Sequence, residues 1–202
     1  MEVEKKLEEM GLSLPPSATP VANYLPLVRT GNLLFVSGHG PGVLKDGKIT
    51  FIQGKLGKDL DAAQGYEAAK HVMLNILQSM KQELGDLEKV KRIVKLLGFV
   101  NCTADFPDQP KVINGASDLL VELFGERGRH ARSAVGMSDL TLTYTVEPPT
   151  PGLAVSVRSM TAASPSTEFK TNGVDYLWPT RLHAAGSGSL WVGGGLCRRR
   201  GG

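Results

Sequence analysis

The chain has 202 residues, 41% of them hydrophobic and 21% charged, the balance of an ordinary globular protein rather than a disordered one. Its formal charge is +3, but residues 1–147 hold 17 Lys/Arg against 18 Asp/Glu and residues 148–202 hold 6 against 2, so the basic excess lies in the tail and ends in CRRRGG. That run lacks aromatic interleaving and a folded frame, which argues against specific nucleic-acid binding.

No apolar stretch approaches the ~20 residues needed to cross a bilayer. The start, MEVEKKLEEM, has neither the apolar core of a secretory signal nor the acid-poor character of a transit peptide. The expectation is a cytoplasmic protein without membrane attachment. Cys102 and Cys197 form no C-x-x-C or other short metal pair, and Cys102 reads as a small buried hydrophobe.

In chain order, Glu2 to Met10 reads as a short helix stopped by Gly11. Pro15, Pro16 and Pro20 make the following stretch an extended arm. YLPLVRTGNLLFVSG reads as a hairpin turning at Gly31-Asn32, and GKITFIQGKLG as a third short strand. LLFVSG is apolar without alternation, which predicts a strand covered on both faces. Ala62, Tyr66, Ala69, Met73, Ile76, Leu77, Met80 and Leu84 keep a 3.6-residue rhythm and predict a long helix. Asp59 or Asp61 can cap its start, and Gly85 can end it. VKRIVKLLGFVNC reads as a strand and PKVINGASDLLVELFG as a second helix, entered through Pro110 and left through Gly125. ARSAVGM and LTLTYTVE supply further strand material. This order predicts a two-layer α+β domain with helices on one face of a small sheet. The division read is an N-terminal helix and arm over 1–22, the α+β domain over 23–147, and a Pro/Gly/Ser-rich tail over 148–202. That tail is expected to be partly disordered, although GLAVSVRSM within it could make a late strand and Trp178 and Trp191 are unusual in such a segment.

Four histidines are available: His39, His71, His130 and His183. None makes a short metal motif, and no metal is expected. His71 sits inside the long helix and reads as structural. His39, between glycines after a strand, is a candidate to line a site; His130 stands two residues before Arg132. No dinucleotide, P-loop or nucleophile-elbow motif is present. Asp105 and Asp108 read as a solvated turn. Arg132, at the mouth of a strand among small residues, is either an ordinary surface arginine or a fork that holds a carboxylate through two parallel hydrogen bonds.

VRTGNLLFVSGHGP, LGDLEKVKRIVKLLGFVNCTADFPDQPKVINGASDLLVELFG and RHARSAVGM together resemble the RidA family, also called YjgF or L-PSP endoribonuclease, over roughly residues 1–140. The resemblance is strongest to a subgroup with an N-terminal helical extension. It implies a chorismate-mutase-like fold, assembled as a homotrimer with ligand clefts between subunits. It also implies a cofactor-independent deaminase that hydrolyses reactive 2-imino acids to 2-keto acids and ammonia. The family's carboxylate-binding arginine falls on Arg132, its cleft tyrosine on Tyr24, its strand-to-loop pair on Ser37 and Gly38, and its cleft glutamate on Glu147. Substrate binding is therefore expected at Arg132, Ser37, Gly38 and His39, and proton transfer at Glu147 and Tyr24. Three positions depart from the family: a glutamine becomes His39, a frequent cysteine becomes Ala134, and an asparagine falls on Pro110. VEPPTPG replaces the strand that usually follows the glutamate. A non-catalytic member that binds a small carboxylate is the alternative, and endoribonuclease activity the third reading.

Overall fold

The computed structural model describes residues 2–16, 23–140, 145–147 and 153–157, all within a unit spanning 1–162; a second unit, 163–202, lies outside the described residues. The readings made of Trp178, Trp191, His183, Cys197 and the basic end fall outside them too.

Helix α1 (Glu2–Glu9) buries Val3 and Leu7, and Gly11 ends it at φ 67°. The Val3 N–H donates to Glu88 Oε1 at 2.9 Å, and Arg127 Nη2 donates to the other oxygen of that carboxylate at 3.3 Å. One side chain thus ties the N-terminal helix to the body.

Strands β1 (Leu27–Thr30) and β2 (Leu33–Val36) form the expected hairpin. Gly31 opens its two-residue turn at φ 55°, a conformation that suits glycine. Strands β3 (Gly42–Lys45) and β4 (Lys48–Phe51) make a second hairpin, in a separate two-stranded sheet. The sequence reading found only the latter strand. The missed signal was Asp46-Gly47: both residues have positive φ, 51° and 75°, as Asp-Gly hairpin turns require.

Helix α2 (Ala62–Leu84) starts at Asp61, whose side chain accepts from Gln64 N while Gln64 Oε1 accepts from Asp61 N. That reciprocal pair satisfies two N-terminal donors, and left-handed Gly85 closes the other end. The buried face runs through Ala69, Met73, Ile76, Leu77, Met80 and Leu84 as read, while Ala62 and Tyr66 are only partly buried. A short 3-10 turn leads into β5 (Val90–Asn101), followed by α3 (Gln109–Phe124), β6 (Ala131–Met137), β7 (Val146–Glu147) and β8 (Leu153–Val157). Helices α2 and α3 cross closely at glycine: a Cβ on Gly115 would lie 2.0 Å from the Tyr66 carbonyl oxygen.

The main sheet runs β1-β2-β8-β5-β6, with β7 also paired to β5. β5 and β6 are parallel and the other pairs antiparallel. Leu27, Leu34, Val36, Ile93, Leu96 and Val100 turn into the core with α2 and α3. Val28, Leu33 and Val135 are exposed, so the described elements pack against only one face of the sheet. The reading of LLFVSG as covered on both faces does not hold for the single chain.

The boundary read at Glu147 does not coincide with the edge of the sheet. β8 comes from the proline-rich region and occupies a central position between β2 and β5, with Val155 fully buried. β7 and β8 pair along β5 in the same antiparallel sense: Glu147 faces Phe99 and Leu153 faces Leu96. The strand that PPTPG breaks in sequence is therefore resumed in the same sheet.

Candidate functional site

Arg132 is the second residue of β6, in register with Leu96 of β5. Leu96 is buried against the helices, and Arg132 is carried towards the same layer. Its Nη1 donates to Asn114 Oδ1 at 2.7 Å and to Ser117 Oγ at 3.1 Å. Asn114 and Ser117 lie one turn apart on α3, so they share a helix face. The Arg132 side chain is anchored yet exposed, the arrangement needed to present a guanidinium fork to a planar anion.

The anchor continues to His130. Ser117 Oγ lies 3.2 Å from His130 Nε2, and His130 Nδ1 lies 2.6 Å from the Gly128 carbonyl oxygen. A carbonyl oxygen only accepts, so the ring proton is assigned to Nδ1 and Nε2 accepts from the Ser117 hydroxyl. Burial, and to a lesser degree the nearby Arg132 charge, hold His130 below the ordinary histidine range, while its bond to Gly128 opposes them.

Tyr24, Ser37, Gly38 and His39 lie on the other side of the sheet from Arg132, around the β1–β2 hairpin. The Ser37 hydroxyl donates to Leu25 O at 2.6 Å and its N–H to Pro26 O at 2.9 Å. These bonds fix the segment just after Tyr24, whose side chain is 50% exposed. Beyond Gly38, His39 packs towards α2: Nδ1 lies 2.9 Å from Ser37 O and Nε2 lies 2.9 Å from Ser79 Oγ. Both ring nitrogens thus have protein partners, and burial lowers the pKa. Glu147 is placed by its backbone opposite Phe99.

Register measures the separation. Val36 faces Leu153, Leu153 faces Leu96, and Leu96 faces Arg132. At ~4.8 Å per strand, Val36 and Arg132 stand about 14 Å apart across one row. One chain therefore does not gather Ser37, Gly38 and His39 around its own Arg132. Two surface depressions lie elsewhere. One, of about 560 Å³, includes Gly57, Asp59 and Phe106 in its lining, and the other, of about 410 Å³, includes Tyr66 and Lys111.

Residues 4–145 match the family model described as "YjgF/chorismate mutase-like, putative endoribonuclease". The chain belongs to this family. It is 43% identical over 146 residues to "Protein TCP17" of Trypanosoma cruzi, a match covering 72% of this chain and 89% of that one. Among solved structures, a protein of unknown function from Agrobacterium tumefaciens is 43% identical with a TM-score of 0.69, over 77% of this chain and 92% of that one. A "putative endoribonuclease" of Shewanella oneidensis MR-1 is 34% identical with a TM-score of 0.70, over 78% of this chain and all of the other. The YjgF-type fold expected from the sequence is the fold observed. No described helix is long and apolar enough to cross a membrane.

Sequence reasoning missed Asn114 and Ser117. Both stand in the quoted segment KVINGASDLLVE, and their three-residue spacing on a predicted helix was the available signal. The count that placed the family's asparagine on Pro110 lands at the first turn of α3. The asparagine that meets Arg132 is Asn114. Ala134, two residues beyond Arg132, is partly buried against the core. Cys102 is buried and free, as read.

Proposed function

We propose that this YjgF-family protein is a cofactor-independent deaminase that hydrolyses small reactive 2-imino acids to 2-keto acids and ammonia. The observation that carries this reading is the anchoring of an exposed Arg132 by Asn114 and Ser117. A solvated surface arginine needs no two-point anchor from a neighbouring helix. A preorganised guanidinium loses less freedom on meeting a carboxylate.

The same proposal includes a homotrimer with clefts between subunits. Val28, Leu33 and Val135 on the uncovered sheet face support it, since exposed apolar surface of this kind marks association. So does the separation of about 14 Å between Val36, which precedes Ser37, and Arg132 along one row. A cleft between copies allows the two ends to come from different chains.

In this mechanism Arg132 neutralises the substrate carboxylate. Water adds to the imine carbon, forming a C–O bond while the C=N electron pair moves to nitrogen and is protonated. Collapse of the resulting carbinolamine breaks the C–N bond, releases ammonia and leaves the 2-keto acid. Backbone groups near Gly38 orient the water, Ser37 and His39 border the substrate, and Glu147 and Tyr24 move protons. Cytoplasmic residence fits this role.

Ala134 favours a second reading. A methyl group stands where family members often carry a thiol, and a member that binds carboxylates without turnover needs only the Arg132 anchor. Ammonia release from freshly generated 2-aminoacrylate separates the two: acceleration over the spontaneous rate supports the deaminase, and binding alone supports the binder. RNA cleavage that survives purification and falls on mutation of the folded body would replace both.

A further inference from the structure

Arg132 has a second layer of support that a carboxylate clamp does not by itself require. Asn114 Oδ1 can only accept, so its bond to Nη1 is fixed once the amide is oriented. Ser117 is different: its hydroxyl can donate or accept in several directions. His130 removes that freedom. With its proton on Nδ1 and given to Gly128 O, Nε2 accepts the Ser117 hydroxyl hydrogen. The Ser117 oxygen is then turned, lone pairs outward, towards Arg132 Nη1. The donors run in one direction from Arg132 to Ser117, to His130, to Gly128.

We propose that Ser117 and His130 are a positioning pair for Arg132, fixing the guanidinium in the orientation that an incoming carboxylate meets. The proposal rests on Arg132 as the carboxylate site. The long arginine side chain has many rotamers in solution, and ordering it before the ligand arrives removes a cost from binding. His130 touches neither Arg132 nor the ligand in this scheme. It acts through Ser117.

The test uses the full-length protein and 2-oxobutanoate as the probe. Dissociation constants and the Arg132 Nε–Hε NMR correlation are compared in wild type, Ser117→Ala, Ser117→Thr, His130→Ala and the Ser117→Ala/His130→Ala double variant. Ser117→Ala and His130→Ala are each expected to weaken binding about three- to ten-fold and to broaden the Arg132 correlation. The double variant is expected to do little more than either single one, because both act on one contact. Ser117→Thr keeps the hydroxyl and restores both signals. The His130 ring nitrogens should show the Nδ1–H tautomer.

An unchanged Kd in Ser117→Ala, alongside lost binding in Arg132→Ala, overturns the positioning pair while leaving the carboxylate site intact. An Nε2–H tautomer overturns it as well. Full binding in Arg132→Ala is the different failure, of the carboxylate site itself, and the Arg132 correlation in Ser117→Ala then decides whether the pair still orders the side chain. Alanine is a good helix former, so Ser117→Ala should leave α3 intact.

Discussion

Val36 and Arg132 stand three strands apart in one row across the main sheet, joined through Leu153 and Leu96. About 14 Å separates them in a single chain. In the proposed homotrimer a second copy brings the two positions together.

Sedimentation equilibrium is expected to give a trimer. Val135→Glu places a charge on the uncovered sheet face, where Val135 is exposed in the single chain. If that face is an interface, the variant sediments as a smaller species with its secondary structure retained. A wild-type monomer would remove the intersubunit cleft.

β8 sits between β2 and β5. A chain ending at Glu147 would split the sheet at its centre, leaving β2 paired only to β1 and β5 only to β6 and β7, and expose apolar edges. It is expected to lose cooperative unfolding, whereas a chain ending at Ala162 keeps every described strand and should retain it. Matching denaturation curves for the two truncations would show that β8 adds nothing to the fold.

The Gly115 backbone passes against Tyr66. Gly115→Ala would bring a methyl group 2.0 Å from the Tyr66 carbonyl oxygen, and a backbone atom cannot swing aside as a flexible side chain can. A loss of about 3 kcal/mol is expected from this overpacking, read as a lower urea midpoint. Asp61→Ala, which removes the α2 capping box, should cost about 1 kcal/mol.

His39, His71 and His130 are all held below the ordinary histidine value, chiefly by burial. Between those lowered values and the unfolded value of about 6.5, the unfolded chain binds more protons than the folded one. Stability therefore rises with pH through that window and is lost on acidification from pH 7 towards 5. His39→Gln should flatten the dependence in urea titrations at several pH values. An unchanged slope would mean that His39 titrates alike in both states.

Much of this architecture was legible because its signals are local. α2 carries its own periodicity, cap and terminating glycine, and β5 is a long stretch whose buried Val90, Ile93, Leu96 and Val100 are set among lysine and arginine. β8 was only faintly legible, because five residues after PPTPG become a central strand through pairing with β2 and β5, partners far away in sequence. Arg132 stood out in RHARSAVGM. Asn114 and Ser117 looked like ordinary helix positions until the chain crossing from α3 to β6 brought Arg132 over them. The two-residue turn at Asp46-Gly47 was readable and was overlooked.

The most direct measurement is ammonia release from freshly generated 2-aminoacrylate, set against the spontaneous rate, for wild type and Arg132→Ala. Wild type is expected to accelerate release, and Arg132→Ala, which loses the carboxylate partner, to return it close to the spontaneous rate. Equal acceleration by both proteins, or none by wild type under conditions where it binds 2-oxobutanoate, would contradict Arg132-dependent imine hydrolysis.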